Sequence, residues 1–197
     1  MTSPERRAAI IDAALRLFSE RGFRGTTTRE LAASVGVSEP ILYEHFKSKR
    51  DLYRAIIETK SQDGLERATS LLAPWLDGDD DRGFFTTLAA MLLERYAAEP
   101  AYVRLLLFLA VDGDELAGLY YERQILAFHK IVAAYITRRV QQGAFRPVDP
   151  AIAARAFLSM AVHHSMLRLF FGDRFVKASN KRIAGEMVGI FLAGVRS

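Results

Sequence analysis

The sequence of 197 residues contains no cysteine. This absence excludes disulfide bonds, thiolate zinc sites and cysteine nucleophiles, and it fits a reducing compartment. The N-terminal segment lacks the apolar stretch that follows the basic start of a signal peptide. No window reaches the roughly 18 uninterrupted apolar residues of a membrane span, and the most apolar segment, residues 103–111, is interrupted by Arg104. These absences predict a cytoplasmic protein with no membrane partner.

Motifs for catalysis and metal binding are also missing. None of the histidines, His45, His129, His163 and His164, forms a His-Glu-x-x-His pair with another. His163 and His164 are adjacent and would point about 100° apart on a helix, so they cannot easily share a metal ion. The sequence has neither a glycine-rich phosphate loop nor a Gly-x-Ser-x-Gly elbow. We therefore expect no enzyme activity, no metal and no cofactor.

Basic residues are concentrated in the N-terminal quarter of the chain. Residues 1–54 contain ten Lys/Arg and seven Asp/Glu, a net charge of +3, whereas residues 55–197 contain 17 and 16, a net charge of +1. With 50% hydrophobic and 25% charged residues, the chain has the composition of a folded globule. A basic segment before a nearly neutral remainder is typical of a small nucleic-acid-binding module joined to a second domain.

Helical periodicity extends over nearly the whole chain, and no alternating pattern predicts a strand. A capping box from Thr27 to Glu30 opens the second helix, and Ser48 with Asp51 caps the fourth. The acidic run at 79–81 is interpreted as a solvated loop that also caps a helix. Caps, glycines and prolines predict an all-α fold of nine helices, at 3–22, 27–36, 38–47, 48–73, 82–97, 101–111, 115–142, 150–171 and 178–195, with Ser3 as the first cap and a break at 112–114.

The second and third predicted helices have the helix-turn-helix arrangement, with a glycine turn at Gly36. Leu42 and Phe46 are expected to pack inward. The other face of the third helix is formed by Ser38, Ile41 and His45, with Glu39 and Tyr43 beside it. Such a mixture of short polar, apolar and aromatic side chains suits a DNA major groove better than open solvent.

The residues of this module resemble a known family. The strings Gly22-Phe-Arg-Gly-Thr-Thr-Thr-Arg-Glu-Leu-Ala and Val35-Gly-Val-Ser-Glu-Pro-Ile-Leu-Tyr-Glu-His-Phe-Lys-Ser-Lys49 resemble the DNA-binding domain of TetR-type repressors, over about residues 5–55. The remainder is similar only in length and helical character. The resemblance implies a homodimer that binds a palindromic operator and releases it when a small molecule enters the C-terminal domain. The expected division is a DNA-binding domain at 1–48 and an effector-binding and dimerisation domain at 49–197.

The resemblance also implies DNA contacts for particular residues. Thr27 would present its amide or hydroxyl to a phosphate, and Arg29 would reach a base or the backbone. Base edges would be touched by Ser38, Glu39, Pro40 and Ile41, and phosphates by Tyr43, His45 and Lys49. Other interpretations stay open: Glu39 either accepts a bond from cytosine N4 or favours the helix dipole, Tyr43 packs internally, and His45 is simply exposed.

The C-terminal domain is rich in large apolar side chains that form either a core or the wall of a ligand cavity. Because such a lining would contain few paired charges, it favours a small apolar or aromatic effector. The predicted effector-binding residues are Met91, Phe108, Tyr121, Phe128 and His163, with His163 giving one orienting hydrogen bond.

The last predicted helix is apolar on two sides. Large side chains form one stripe and small ones, Gly185, Gly189 and Ala193, form another. Such a helix must be buried on two sides, either by its own chain or with helix 150–171 in an isologous four-helix interface. The predicted dimerisation residues are Phe157, Gly185, Gly189, Phe191 and Ala193.

Together these observations predict a dimeric, ligand-responsive repressor of transcription. Two alternatives remain. One is a DNA-binding dimer without an effector. The other is a helical small-molecule-binding protein or enzyme, for which the sequence offers no reactive group of residues.

Overall fold

The computed structural model describes residues 2–111, 115–174 and 176–196. Within these ranges the chain forms nine helices: α1 (Ser3–Arg21), α2 (Thr28–Val35), α3 (Glu39–His45), α4 (Lys49–Leu76), α5 (Asp81–Ala98), α6 (Pro100–Val111), α7 (116–141), α8 (Pro150–Phe171) and α9 (Asn180–Val195). In α7, a π-helical stretch, Tyr121–Ile125, separates Leu116–Tyr120 from Leu126–Gln141. The prediction of an all-α fold is confirmed, while the predicted break at 112–114 lies outside the described residues.

The helix starts follow local capping rules. The predicted box at α2 is present, and at α4 the Ser48 hydroxyl donates to Asp51 Oδ2 (2.9 Å) and accepts from the Asp51 amide (3.1 Å). The predicted cap of α1 is wrong by one residue. Thr2, rather than Ser3, forms that capping box, because Glu5 lies three positions after Thr2 and its carboxylate accepts from the Thr2 amide at 2.7 Å.

Helix α4 continues beyond its predicted end at residue 73. Pro74 lies inside the helix, in its last turn, although proline removes a backbone donor. The following residues, Trp75 and Leu76, pack against a hydrophobic core. A Cβ at Gly83 would come within 2.2 Å of the Trp75 ring, so the indole lies directly on this glycine. Tertiary packing of Trp75 therefore explains why the helix is longer than its sequence predicts.

Residues 2–63 and 99–123, apart from 112–114, form one compact unit. Its core combines side chains of α1, α2, α3, α6 and the first part of α4. At its centre the Phe18 ring meets Tyr53 edge-on, with centroids 4.9 Å apart, and Tyr53 is also 5.1 Å from Phe23. Helix α1 packs against both α6 and α2, so α6 and the helix-turn-helix belong to the same unit.

Residues 64–98 and 124–196, apart from 175, form the second unit. Helix α5 packs against α8 and α9, and α7 packs against α8. The core is aromatic: Phe85 lies 4.7 Å from Phe157 and 4.8 Å from Phe191, and Phe84 stacks on Tyr135 at 3.8 Å. These units follow packing, whereas the boundary predicted after residue 48 follows sequence pattern. That boundary remains a prediction.

A buried ion pair joins α5 to α7 in the second unit. Arg139 Nε donates to Asp81 Oδ1 at 2.7 Å, and the Tyr135 hydroxyl donates to the same oxygen at 3.0 Å. Only 9% of the Arg139 side chain and 5% of the Asp81 side chain are exposed. Burial and the neighbouring carboxylate raise the pKa of Tyr135. The interpretation of 79–81 as a solvated loop is therefore wrong for Asp81, although exposed Asp80 does accept from the Gly83 amide at 2.8 Å.

Candidate nucleic-acid interface

The start of α2 is closed by a network around Glu30. The Thr27 hydroxyl accepts from the Glu30 amide at 3.2 Å, and Glu30 Oε2 accepts from both the Thr27 amide (2.8 Å) and the Thr27 hydroxyl (2.9 Å). Arg21 pairs with the other carboxylate oxygen at 2.6 Å. Hydrogen bonds from Thr27 and the charge of Arg21 lower the pKa of Glu30. Both donors of Thr27 that were predicted to meet a phosphate are therefore engaged by Glu30.

Other donors at this helix start remain directed outward. Within the described ranges, the amides of Thr28 and Arg29 have no acceptor, as is usual in the first turn of a helix. The Arg29 side chain is exposed. An anion at the N-terminus of α2 would therefore meet the amides of Thr28 and Arg29 before that of Thr27.

Helix α3 presents the outward face that the sequence predicts. Leu42 and Phe46 are buried, which fixes the inward side of the helix. Tyr43 is 46% exposed, so it is not an internal packing residue. Ser38 precedes the helix but its side chain makes no capping hydrogen bond. The residues predicted to touch DNA from this helix are exposed or half-buried: Ser38, Glu39, Pro40, Ile41, Tyr43 and His45.

Glu39, the first residue of α3, is attached to α2. The Thr28 hydroxyl donates to Glu39 Oε2 at 2.9 Å, and both side chains are half-buried. Thr28 was not among the predicted site residues. It stands 11 positions before Glu39 in the chain, and no local sequence pattern indicates a bond across that distance.

Lys49 has a structural role that its sequence position does not reveal. Its ammonium donates to the carbonyl oxygens of Phe23 and Thr26, both at 2.8 Å, and lies 4.2 Å from the centroid of the Phe23 ring. Burial lowers the pKa of this lysine. Lys49 thus holds the loop between α1 and α2, and its contact with a phosphate remains a prediction.

Comparison with known proteins agrees with this geometry. Residues 10–56 match the family described as bacterial regulatory proteins, tetR family, and residues 82–194 match the AefR-like transcriptional repressor, C-terminal domain. The chain belongs to the TetR family of transcriptional regulators. It is therefore a DNA-binding regulator rather than an enzyme.

Individual relatives are similar over the whole chain. The transcriptional regulator YvkB of Bacillus subtilis (strain 168) is 23% identical over 94% of this chain and 95% of its own. A TetR-family regulator from Mesorhizobium loti MAFF303099 superimposes with a TM-score of 0.80 at 23% identity, over 100% of both chains. AibR, solved with isovaleryl coenzyme A and operator DNA, gives a TM-score of 0.68 at 22% identity, over 94% of this chain and 97% of its own.

The predicted effector residues of this TetR-family protein do not form one described site. Met91 and Phe128 are buried in the core of the second unit, which agrees with the alternative that they are core residues. Phe108 and Tyr121 belong to the first unit, where they are 37% and 52% exposed. His163 is exposed on α8. Effector binding by these five residues stays a prediction.

The predicted dimerisation residues divide into two groups. Phe157 and Phe191 are buried against Phe85 in the core of their own chain, so Phe157 in particular has no exposed ring to offer a partner. Gly185 and Gly189 have nothing within 4 Å of the position of a Cβ atom, and Ala193 is exposed. The small-residue stripe of α9 thus faces outward, while the large aromatic residues face inward. Contact of the small-residue stripe with a partner remains a prediction.

The described ranges contain neither a metal-binding cluster nor a membrane-spanning helix. No group of three or more His, Asp or Glu side chains in those ranges is arranged to hold a metal ion. None of the helices described there is long and apolar enough to cross a membrane.

Proposed function

We propose that this TetR-family protein is a homodimeric repressor that binds a palindromic operator and is released by a small, largely apolar effector. The observation that carries the proposal is the pair of outward faces: the mixed polar and aromatic face of α3, and an uncovered apolar face shared by α8 and α9. The first suits base edges in a major groove, and the second suits another copy of the same chain.

The apolar face supports dimerisation. Ile152 on α8 is 69% exposed and Ile190 on α9 is 68% exposed. These two residues line a shallow groove together with Ala156, Met160 and Gly194. Large exposed apolar side chains next to open glycines favour close approach of partner helices. Ile152 and Ile190 were not among the predicted dimerisation residues, because helical periodicity favoured Phe157 and Phe191 as the large side chains that face the partner.

Twofold symmetry determines the form of the operator. In an isologous dimer the two α3 helices are related by the dimer axis, so their half-sites form an inverted repeat. The half-site centres should lie about one DNA turn, or roughly 34–36 Å, apart. In this arrangement Arg29 and Tyr43 lie on the exposed surface of the helix-turn-helix, and Lys47 follows the end of α3. We assign phosphate contacts to these three residues, two of which are basic and one aromatic.

The irregular geometry of α7 and the ligand of a solved neighbour support an effector. The π-helical stretch of α7, Tyr121–Ile125, departs from regular helical geometry, and such departures are frequent at functional sites. The solved complex of AibR with isovaleryl coenzyme A adds a second class of compound to test on this chain, short acyl coenzyme A esters, whose acyl chain is apolar although their coenzyme A part carries phosphates. An effector can release DNA only if it binds the DNA-incompetent state more tightly than the other state.

Selection of bound duplexes from a random DNA pool tests the proposal. We expect enrichment of an inverted repeat, with two chains bound per duplex in sedimentation analysis. Enrichment of a single half-site, or a monomer on DNA, would contradict the dimeric function. Addition of acyl coenzyme A esters and lipophilic aromatic compounds should then lower operator affinity for at least one compound. Unchanged affinity with all of them would favour the alternative of a dimer without an effector.

A further inference from the structure

A hydrogen bond connects the first residues of the two helices of the helix-turn-helix. The Thr28 hydroxyl at the start of α2 donates to Glu39 Oε2 at the start of α3, at 2.9 Å. We infer that Thr28 is a positioning residue for base readout, which holds the Glu39 carboxylate so that its second oxygen faces the DNA. This inference rests on the proposed sequence-specific binding, and it adds a residue that itself reads no base.

The bond from Thr28 leaves one of the two carboxylate oxygens of Glu39 available to accept a hydrogen bond from a base. An ionised carboxylate is acceptor-only, with two oxygens and about four lone-pair sites. Oε2 is engaged by Thr28, whereas Oε1 accepts no hydrogen bond from the described part of the chain. Since Glu39 is half-buried on the outward-facing helix, Oε1 is the atom that can meet a base.

The chemistry of a carboxylate selects one kind of base edge. In the major groove it can accept from the N4 amino group of cytosine. Adenine also donates, from its N6 amino group, but the acceptor N7 beside that group repels a carboxylate, and thymine O4 and guanine O6 and N7 are themselves acceptors. An untethered carboxylate would also be pushed away by the phosphates. The bond from Thr28 opposes that movement and fixes the side chain before DNA arrives, so the preference for cytosine should depend on Thr28.

The neighbouring acid Glu30 differs from Glu39 in how many partners bind its carboxylate. Glu30 receives three hydrogen bonds from its capping box partner and Arg21 and is thereby fully engaged at the start of α2. Glu39 has no arginine partner in the described contacts and receives one neutral donor. Glu39 therefore has no cationic partner among the described contacts, which suits an acceptor for a base amino group.

The test measures base preference position by position. Operator variants with every base pair at each half-site position are titrated with the wild-type protein, Thr28→Val, Thr28→Ser, Glu39→Ala and the double variant Thr28→Val/Glu39→Ala. We expect Thr28→Val to reduce the cytosine preference at one half-site position by roughly threefold to tenfold, the range for one lost hydrogen bond. Thr28→Ser, which restores the hydroxyl, should keep the wild-type preference.

The double variant separates positioning from other roles. If Thr28 acts through Glu39, Thr28→Val should cause no further change of base preference in the Glu39→Ala background. The salt dependence of binding should also be unchanged, because Thr28 donates to Glu39 rather than to a phosphate. Thr69→Val is the matched control, since the Thr69 hydroxyl donates to the Leu65 carbonyl in the second unit, and its base preferences should equal those of wild type.

Two results would overturn the inference while leaving sequence-specific binding intact. One is a Thr28→Val profile identical to wild type at every position. The other is an equal loss on all duplexes with a smaller salt slope, which would make Thr28 a phosphate contact. If Thr28→Val unfolds the protein, Thr28→Ala takes its place: a reduced cytosine preference in Thr28→Ala that Thr28→Ser does not show supports the inference, and a wild-type preference in Thr28→Ala contradicts it. Failure of the wild-type protein to prefer any sequence would instead reject the proposed function.

Discussion

The two units use charged side chains in opposite ways. In the first unit, Glu30, Glu39 and Lys49 are half-buried, and each is attached to a hydroxyl, an amide or a carbonyl of a nearby loop or helix start. In the second unit, Asp81 and Arg139 are almost fully buried and are paired with each other. Bonds of the first kind hold a charged group near the surface of the protein, whereas the buried pair lies inside a core.

The difference predicts different energetic consequences. A buried ion pair contributes little relative to a well-packed apolar pair, but removal of one partner leaves an uncompensated charge. A solvent-exposed pair can be lost at small cost because water replaces the partner. Substitutions in the second unit should therefore alter stability first, and substitutions in the first unit should alter DNA recognition first.

The largest expected effect comes from Asp81→Asn. The Arg139 guanidinium would keep its ion pair with exposed Asp79 at 2.5 Å but would lose the charge of its buried partner, and we expect the free energy of unfolding to fall by about 2 kcal/mol. Glu115→Gln is the matched control, since its pair with Arg50 at 2.6 Å is largely exposed, with 75% of the glutamate side chain accessible. Its expected cost is below about 1 kcal/mol. Urea unfolding curves measure both, and equal costs would remove the distinction between the two units.

The second effect concerns assembly. Gly189→Arg places a long cation in the proposed interface of α8 and α9, where a dimer would bury it without a partner. Nothing lies within 4 Å of a Cβ at this position, so the folded chain itself accommodates the change. We expect monomers in sedimentation and loss of tight binding to a palindrome. Gly118→Arg, at another helical glycine with open space around it, should leave the assembly unchanged. A Gly189→Arg protein that remains dimeric would place the interface elsewhere.

Local signals explain what the sequence could predict. The boxes at Thr27–Glu30 and Ser48–Asp51 connect residues three apart, so their partners can be recognised in the sequence, and the helix starts followed from them. The inward positions of Leu42 and Phe46 followed from helical spacing. The cap at Thr2 was displaced by one residue because Thr2 and Ser3 are both good cap residues.

Long-range contacts were not predictable in this way. The Asp81–Arg139 pair joins residues 58 apart, and Lys49 reaches back 26 and 23 residues to its two carbonyls. Nothing local distinguishes Asp81, which is buried, from Asp79 and Asp80, which are exposed. The same holds for Phe157 and Ile152 on α8: periodicity defines two faces but not which face meets the protein's own core.

A smaller effect is expected from Lys49→Ala. Loss of two charge-assisted bonds to the loop carbonyls should lower the free energy of unfolding by about 1–2 kcal/mol. If the ammonium also contacts a phosphate through its third donor, as we expect, the salt slope of operator binding falls by about one unit. The exposed neighbour Lys47 is the control, because Lys47→Ala should change the salt slope without changing stability. An unchanged slope for Lys49→Ala would leave this lysine with its internal role alone.

The smallest effect is a pH dependence of the second unit. Nε2 of His164 on α8 is shielded from solvent and has no hydrogen-bond partner in the described part of the chain. Burial, with the nearby charge of Arg168, lowers the pKa of His164, and burial with Arg155 does the same for His129. The unfolded chain therefore takes up protons at the ordinary histidine pKa of 6.5, while the folded chain resists them.

Stability should consequently fall as the pH is lowered through the ordinary histidine range, and it should be fully present above that range. His164→Gln should reduce this decline, because a glutamine does not titrate. The charge of the neighbouring His163 also contributes to the lowered pKa of His164, so the control is Thr137→Val, which removes no titratable group and should leave the pH profile of unfolding unchanged. Urea unfolding between about pH 7.5 and about pH 5.5 covers the window. A His164→Gln profile parallel to that of wild type would show that the decline comes from His129 or from the carboxylates. Protonation of His164, with its shielded Nε2, would then have no effect on the free energy of unfolding.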